Sequence, residues 1–545
     1  MASGVAQRPQ EGRGRAIVAP THRDNRQPGA APQRPGPRDS RGPILQGLLA
    51  SAMVTCGSWG VGWLPYAQES VLARSPLVLP LRAETVGVII CTLLLAVGTV
   101  LMFRAWLRLR QTTKGLGDRA LGLMRRAAWT WSAPMLFSFP ILSQDVYSYL
   151  GQGRLMHAGL SPYENWVSQL PGWFAQGADS LWAESSSPYG PLFLMYARLA
   201  YFVSGGVPEY GVVMMRLVAV AGVALCIYAI PRLALKLGGD PSWTLWVSVV
   251  NPLFLMNMVG GVHNDGLMLG GVLLAFLLVY RQRRVLGTIA MALSIAIKPV
   301  MLLALPFLGL AMLKPEARLR SKIRVWLWIT AITVAILAAL GAATGLWFGW
   351  IGGVASSGDA AFPYAPVGLF GLLVGWIGSL FGGSINAVAD IVYAVFKVFS
   401  MAIIAWLALR KPAGNPLLYS GYALAASVLL APIIQPWYLL WLIPFFALGK
   451  KFSVGQERLL YVLCLVLAIA GVVDQLSVAQ WFSLLWMRIF AALVGLLCVA
   501  YMVFIDPKTA PLFGHLGRRL SPRTRKFLRI PNPEETRQQD RDATG

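Results

Sequence analysis

The sequence is poor in charged residues, which make up 13% of its 545 positions, against about 25% in an ordinary soluble domain. Long stretches without charge exclude a soluble globular protein, and several approach the roughly 20 apolar residues that cross a bilayer as a helix. The alternating polarity of a membrane β-barrel is absent. Because a backbone in hydrocarbon must satisfy its own hydrogen bonds, we expect an all-α integral membrane protein.

Cysteine and acidic residues are also scarce. The five cysteines lie inside apolar runs without any CxxC pair, so we interpret them as small buried hydrophobic residues rather than disulfide or metal-binding residues. Lys and Arg outnumber Asp and Glu by 47 to 23, for a net charge of +24. Nucleic-acid binding is one interpretation, but the basic residues fall in alternate loops and tails. That distribution indicates cytoplasmic loops facing anionic lipid headgroups, and we expect no nucleic-acid partner.

Known nucleotide and hydrolase motifs are missing as well. No P-loop, dinucleotide fingerprint, HExxH or GxSxG elbow stands where it could work. The loops predicted to be cytoplasmic are too short to hold a soluble domain for a nucleotide sugar.

Basic stretches set the predicted topology. Residues 104–126 are the firmest cytoplasmic anchor, and residues 281–284 are the next. Alternation between such anchors predicts a polytopic helical bundle of about 14 transmembrane helices over residues 44–505. Residues 1–43 are predicted to be a disordered basic cytoplasmic tail, and residues 506–545 a second basic cytoplasmic tail.

Two apolar stretches break this alternation. A crossing by residues 190–205 would reverse the sidedness of every later loop, so we expect this stretch to lie in the membrane plane within a large outer loop, residues 144–211. A second in-plane stretch, residues 367–382, is expected in the outer loop 346–385.

The first group of polar residues on the predicted outer face is Asp145, Tyr147, Tyr149 and Arg154. Ionisable groups at membrane depth are costly and usually functional. Asp145 suits a general base acting on an incoming hydroxyl, with capping of the next helix as the alternative. The tyrosines suit either sugar packing or an aromatic belt at the interface.

Two further groups follow along the chain. Tyr189 stands in a Pro- and Gly-rich turn that is predicted to shape a cavity, with direct substrate contact by Tyr189 as the alternative. His263, Asn264 and Asp265 are adjacent polar residues at a predicted helix–helix corner. His263 suits phosphate contact or proton transfer, and Asp265 suits either orientation of His263 or metal binding; a capped turn is the alternative.

The last two groups lie at outer corners. Lys298 precedes Pro299 between two short predicted helices and suits neutralisation of a lipid-linked phosphate, with snorkelling to headgroups as the alternative. Gln435, Trp437 and Tyr438 suit recognition of a lipid phosphate or a sugar, with belt aromatics as the alternative.

Five stretches between residues 143 and 444 carry a family resemblance: SQDVYSYLGQGRLMHAGLSPYE, SSPYGPLF, NPLFLMNMVGGVHNDGLM, AIKPVMLLALP and QPWYLLWLIP. With them the chain resembles the actinobacterial polyprenol-phosphomannose-dependent α-1,6-mannosyltransferases of the C-type glycosyltransferase superfamily. The resemblance implies a helical membrane bundle with in-plane helices in the outer loops, and a catalytic aspartate that maps onto Asp145.

The resemblance also implies the chemistry. Mannose passes, with inversion, from polyprenyl-phosphate-mannose to a lipid-anchored α-1,6-mannan of lipomannan and lipoarabinomannan, on the extracytoplasmic face of the plasma membrane. Lys298, His263 and Arg154 are expected to stabilise the departing phosphate, without cofactor or metal. Two alternatives remain: a transporter or flippase of a lipid-linked sugar, and a C-type glycosyltransferase that uses another sugar.

Overall fold

The computed structural model describes residues 37–356, 365–478 and 481–513. Within these ranges the secondary structure is entirely helical. The first ten helices are α1 (Pro37–Val61), α2 (Leu79–Ala83), α3 (Thr85–Thr113), α4 (Asp118–Met135), α5 (Asp145–His157), α6 (Pro191–Ser204), α7 (Pro208–Lys236), α8 (Pro241–Ser248), α9 (Pro252–Leu255) and α10 (Asp265–Tyr280). The others are α11 (Arg284–Ile297), α12 (Leu305–Leu310), α13 (Leu319–Thr344), α14 (Trp350–Ser356), α15 (Pro366–Ser379), α16 (Ile385–Leu409), α17 (Pro416–Leu429), α18 (Tyr438–Gly449), α19 (Val454–Asp474) and α20 (Leu484–Ala500).

Seven helical segments in the described ranges are long and apolar enough to span a bilayer, and an eighth span forms if the bent pair α8 and Pro252–Gly260 is counted as one. The chain is therefore a polytopic helical membrane protein, but the count falls short of the predicted 14. Most of the other predicted crossings are apolar helices of 10–17 residues, short of the roughly 20 residues that a full span needs. Charge alternation locates apolar runs but does not measure helix length.

The two segments predicted to lie in the membrane plane form separate short helices. They are α6 and α15, each of 14 residues, or about 21 Å at 1.5 Å per residue. α6 begins at Pro191, where a missing N–H costs nothing, and ends at Ser204, before the cap residue Gly205 with φ 60°. Their orientation relative to the bilayer stays a prediction.

The core is built where helix backbones approach closely. A Cβ on Gly222 of α7 would lie 2.3 Å from the amide nitrogen of Leu267 on α10, so a glycine is needed at this crossing. Trp106 of α3 stacks on Trp246 of α8 with 4.4 Å between ring centroids. Each indole N–H of this pair donates to the backbone carbonyl of the other residue, so neither polar group is stranded in the core.

All five cysteines are free; Cys91, Cys226 and Cys464 are buried, and Cys56 and Cys498 are half-buried. Residues 506–513 fold back onto the bundle, where Asp506 forms an ion pair with Arg104 of α3 at 2.8 Å and Phe513 is buried. Residues 1–36 and 514–545, which hold most of the two predicted tails, lie outside the described residues.

Candidate active site

Two loops with left-handed, non-glycine residues carry the polar residues of the site. Leu142 has φ 63° and precedes Asp145, and Val262 has φ 59° and precedes His263. Such a conformation costs about 1–3 kcal/mol and persists only where the surroundings enforce it. The loops are joined because the amide of Ile141 donates to the carbonyl of Gly260 at 3.3 Å.

Arg216 of α7 hydrogen-bonds to the segments that lead into the same two loops. Its guanidinium is buried and donates to the carbonyls of Leu136 at 2.7 Å and Ser138 at 2.8 Å, ahead of the first loop. It also donates to the carbonyl of Val259, ahead of the second loop, at 3.3 Å. One charged side chain therefore fixes the backbone that leads to Asp145 and to His263.

A buried cluster of charged and polar side chains lies where these loops meet α11 and α18. The Lys298 ammonium lies 2.7 Å from Oδ1 of Asp265, and the indole N–H of Trp441 donates to the same oxygen at 2.7 Å. Nδ1 of His263 lies 3.6 Å from Oδ2 of Asp265 and 3.8 Å from Oδ2 of Asp145. The structure therefore brings together residues that are far apart in sequence.

Aromatic rings wall this cluster. Tyr149 packs edge-on against Tyr189 at 5.2 Å between centroids, and the Lys298 ammonium lies 5.6 Å from the Tyr189 ring. On the other side, Trp437 lies 4.3 Å from the His263 ring, and Tyr438 stacks on Trp441 at 4.2 Å. Tyr189 reaches this wall because its turn is fixed on α11: the amide of Gly190 donates to the carbonyl of Ile297 at 3.1 Å.

The two carboxylates differ in exposure and pairing. Asp265 is fully buried and directly paired with Lys298, whereas the Asp145 side chain is 14% exposed. Burial raises the pKa of Asp145 from 3.8 to about 7, against the opposing effect of the Lys298 charge. Burial lowers the pKa of His263 to about 4, so its imidazole is neutral at pH 7. Asp145 accepts no hydrogen bond from the described backbone, which disfavours the helix-cap alternative.

The structure separates Tyr147 and Arg154 from this cluster. They follow Asp145 by two and nine residues on α5, which places both on the opposite face of a helix with 3.6 residues per turn, whereas Tyr149 shares the face of Asp145. Tyr147 donates to the carbonyl of Trp63 at 2.8 Å. Both residues line a separate cleft that also contains Trp173.

Asn264 and Gln435 are buried and adjoin cluster residues in the sequence, but within the described residues neither side chain hydrogen-bonds to the cluster. Neither amide atom of Asn264 has a hydrogen-bond partner within the described residues. The Gln435 backbone carbonyl accepts from the amide of Tyr438, which begins α18. These residues shape the corners rather than join the charged groups.

Two residues outside the predicted site contribute to it, Trp441 and Arg216. Trp441 is four residues after Trp437, the residue that precedes α18, and this helical spacing indicates that the two indoles lie on one side. Arg216 lies inside a long apolar helix, where a buried charge is rare enough to indicate function or packing.

Among the described residues, no group of three or more His, Cys, Asp or Glu side chains is placed to hold a metal ion, and the expectation of a metal-independent reaction stays a prediction.

Helices that bring carboxylates, an imidazole and an ammonium together beside aromatic rings define a polytopic membrane protein with a charged interior cluster. The chain belongs to the alpha-(1->6)-mannopyranosyltransferase family. The N-terminal domain model of that family matches residues 44–314, and the MptB C-terminal domain model matches residues 367–516. The family resemblance seen in the sequence is thereby confirmed.

Named relatives agree with this assignment. A probable alpha-(1->6)-mannopyranosyltransferase of Mycolicibacterium smegmatis is 31% identical over 437 residues, covering 73% of this chain and 77% of the relative. Alpha-(1->6)-mannopyranosyltransferase A of Mycobacterium tuberculosis is 30% identical over 423 residues, covering 73% and 78%. The B enzyme of Corynebacterium glutamicum is 26% identical over 434 residues, covering 73% and 71%. No solved structure matches the chain. The chain is accordingly a mannosyltransferase.

Proposed function

We propose that this protein transfers mannose from polyprenyl-phosphate-mannose to a lipid-anchored α-1,6-mannan of lipomannan and lipoarabinomannan, with inversion, on the extracytoplasmic face of the plasma membrane. Asp145 is the general base. The observation that carries this assignment is the contrast between the two carboxylates. Asp265 is committed to Lys298 and Trp441, whereas Asp145 is the one with exposed surface.

The proposed reaction is one displacement. The 6-hydroxyl of the terminal acceptor mannose gives its proton to an oxygen of Asp145 as its oxygen forms a bond to the anomeric carbon of the donor. The bond between that carbon and the phosphate oxygen breaks, and its electron pair leaves with polyprenyl phosphate. A pKa of Asp145 near 7 suits this role, because a general base works best when its pKa lies near the operating pH.

Lys298 is the proposed cation for the leaving phosphate. Its side chain is 12% exposed, and its ammonium lies 5.1 Å from the Trp441 ring and 5.6 Å from the Tyr189 ring. A fixed cation stabilises charge that develops in the transition state without having to reorganise. Tyr149, Trp437 and Tyr438 are the proposed walls around the sugar. Tyr147 and Arg154 are assigned to the second cleft, with Asn264 and Gln435 at the corners.

The proposed topology places both termini in the cytoplasm and the site outside, with the shorter apolar helices completing about 14 crossings and α6 and α15 lying in the membrane plane. It is tested with single cysteines in a background without the native five. Gly172→Cys, in the proposed outer loop, should react with an impermeant maleimide on intact cells, whereas Lys114→Cys should react only after lysis. Reaction of both, or of Lys114→Cys alone, on intact cells would contradict this topology.

The function is tested with the purified full chain in detergent micelles, given labelled polyprenyl-phosphate-mannose and a short α-1,6-mannoside. Transfer needs no sealed compartment, so the acceptor should be extended by an α-1,6-linked mannose. Polyprenyl-phosphate-linked glucose and arabinose serve as matched donors and should be transferred poorly. Movement of label across sealed vesicles without acceptor extension would indicate a transporter instead, and preference for another donor would change the assigned sugar.

A further inference from the structure

His263 lies between the two carboxylates of the cluster. Its Nδ1 is 3.4 Å from the hydroxyl of Tyr149, 3.6 Å from Oδ2 of Asp265 and 3.8 Å from Oδ2 of Asp145. Its side chain has no exposed surface, so the ring does not reach a phosphate or a sugar. Whatever His263 does for the reaction, it does through these neighbours.

The surroundings select one form of the ring. Nδ1 faces three oxygen atoms, two of them carboxylate oxygens, whereas Nε2 is buried without a hydrogen-bond partner within the described residues. A proton on Nδ1 is attracted by those oxygens, and a proton on Nε2 would be stranded without an acceptor. The neutral Nδ1–H tautomer is therefore favoured, and it can donate to a carboxylate without adding charge.

The ring is also held rigidly. Trp437 packs against one side of it at 4.3 Å between centroids, and a Cβ on Gly261 would lie 3.2 Å from its Cδ2 atom. The preceding Val262 has φ 59°, a strained conformation for a β-branched residue, which is typical of functional sites. The strained backbone of this loop and the packing of Trp437 therefore fix the orientation of the His263 imidazole.

We propose that His263 is a positioning residue for Asp145. Its neutral Nδ1–H carries one proton, which it donates to the Asp145 carboxylate in the reacting complex and so aims that carboxylate at the acceptor hydroxyl, while Asp265 and Tyr149 face Nδ1 as the competing acceptors. The present separation of 3.8 Å is longer than a hydrogen bond, and we expect it to shorten when substrate fills the site, as such contacts commonly do. This inference rests on the proposed function, in which Asp145 is the base.

The charged and titratable groups around this pair come from several elements, and they include Tyr189 and Tyr438, which interact with both carboxylates. Asp145 and Tyr149 approach His263 from α5, and Asp265 approaches from α10. Lys298 acts on both His263 and Asp145, and Asp179 acts on Asp145. A donor aimed at the ionised carboxylate favours its charged form. Removal of the imidazole should therefore move the pKa of Asp145 upward.

Three substitutions test the inference. His263→Asn places an amide N–H near the position of Nδ1, His263→Gln places one near Nε2, and His263→Phe keeps the ring without a donor. We expect His263→Phe and His263→Gln to lower kcat by about 10²-fold, the typical effect of a misplaced reacting group. KM should change little because the ring touches no substrate. His263→Asn should recover most of kcat.

The pH profile separates positioning from simple packing. The acidic limb of kcat/KM should move to higher pH in His263→Phe and stay near its wild-type position in His263→Asn. Equal rescue by Asn and Gln, or a His263→Phe variant with wild-type kcat and pH midpoint, would overturn the inference. If wild type transfers no mannose, or Asp145→Asn is fully active, then it is the proposed function that fails.

A measurement on the unaltered site covers the case in which these variants do not fold. The protein has four histidines, so replacing His22, His157 and His515 leaves His263 as the single source of imidazole signals. Solid-state ¹⁵N spectra should show a protonated Nδ1 and an unprotonated Nε2 from pH 6 to pH 8. A proton on Nε2 or a doubly protonated ring in that range would contradict the inference.

Discussion

The central helices and the peripheral helices of this protein differ in what surrounds them. In the most apolar 18-residue stretch of α3 and of α7, 56% is buried inside the protein, against 22% in the corresponding stretches of α13 and α16. The peripheral helices instead expose large apolar side chains, such as Val398, which is 70% exposed. Such surfaces suit contact with lipid, where apolar exposure carries no penalty.

This difference indicates that the interior helices, and not the lipid-facing ones, can carry a polar active site. The charged cluster draws on α5, α10, α11 and α18, which pack around the interior, whereas α15 and α16 form a small hydrophobic cluster of their own around Tyr393. Residues 315–366, which include α13, lie between the two family matches. Substitutions should therefore affect activity through the centre and leave it intact at the periphery.

The largest expected effect comes from removing a buried cation. Lys298→Met leaves Asp265 without its ion pair, and breaking a buried pair typically costs about 3–5 kcal/mol. Lys322 of α13 is a peripheral lysine without exposed surface, and it donates to backbone carbonyls at the end of α16. Lys322→Met should cost about 1–3 kcal/mol, the usual range for stranded neutral acceptors.

Thermal unfolding and mannose transfer of the two lysine variants give the measurement. Adding Asp265→Asn to Lys298→Met should recover part of the lost stability, because no uncompensated charge then stays buried. An equal loss of activity in Lys298→Met and Lys322→Met would erase the distinction between centre and periphery.

A smaller effect is expected where glycine allows two helices to touch. In Gly222→Ala the new methyl lies 2.3 Å from the Leu267 amide, and in Gly375→Ala it lies 2.3 Å from the Ile385 carbonyl. Overpacking of this kind costs about 1–3 kcal/mol at either position. Gly222→Ala should also lower kcat because it displaces α10, which begins at Asp265. Gly375→Ala, between α15 and α16, should leave kcat unchanged. An equal fall of kcat in both variants would contradict the distinction between central and peripheral helices.

The smallest effect is a graded response to pH. Asp145 must be ionised to accept a proton, and its pKa is raised from 3.8 to about 7. The value of kcat/KM should therefore rise with pH up to about 7, and fall about tenfold per unit below it. Asp390→Asn, on the exposed side of α16, should leave the profile unchanged. A flat profile from pH 5 to pH 8 would contradict the assignment of Asp145.

Rare charges in an apolar sequence point to residues that the structure brings together, whereas charge alternation does not give the number of spanning helices. Asp145, Asp265 and Lys298 stood out because charges near apolar runs are rare, and the structure brings them together. The structure does not place Tyr147 and Arg154 beside Asp145, since a helix from Asp145 to His157 turns both away, and their contact with substrate stays a prediction. The helical repeat predicts this separation only for a helix that includes Asp145, and the sequence alone does not fix where α5 begins.

The remaining features depend on tertiary structure. The closeness of Asp265 to Trp441, 176 positions apart, follows from how α10 and α18 pack, which local patterns do not encode. The left-handed conformations of Leu142 and Val262 run against the preference of branched residues, so sequence predicts the opposite. A short apolar helix such as α6 resembles a membrane span in sequence. The structure shows that Pro191 and Gly205 limit it to 14 residues.

The most direct measurement compares two aspartates that each begin a helix, Asp145 of α5 and Asp118 of α4. We expect Asp145→Asn to lower the rate of mannose transfer from polyprenyl-phosphate-mannose by about 10²–10⁴-fold, the usual contribution of a general base. Its thermal unfolding should stay that of a folded protein, and the exposed control Asp118→Asn should keep the wild-type rate. Wild-type transfer by a folded Asp145→Asn protein would contradict the account.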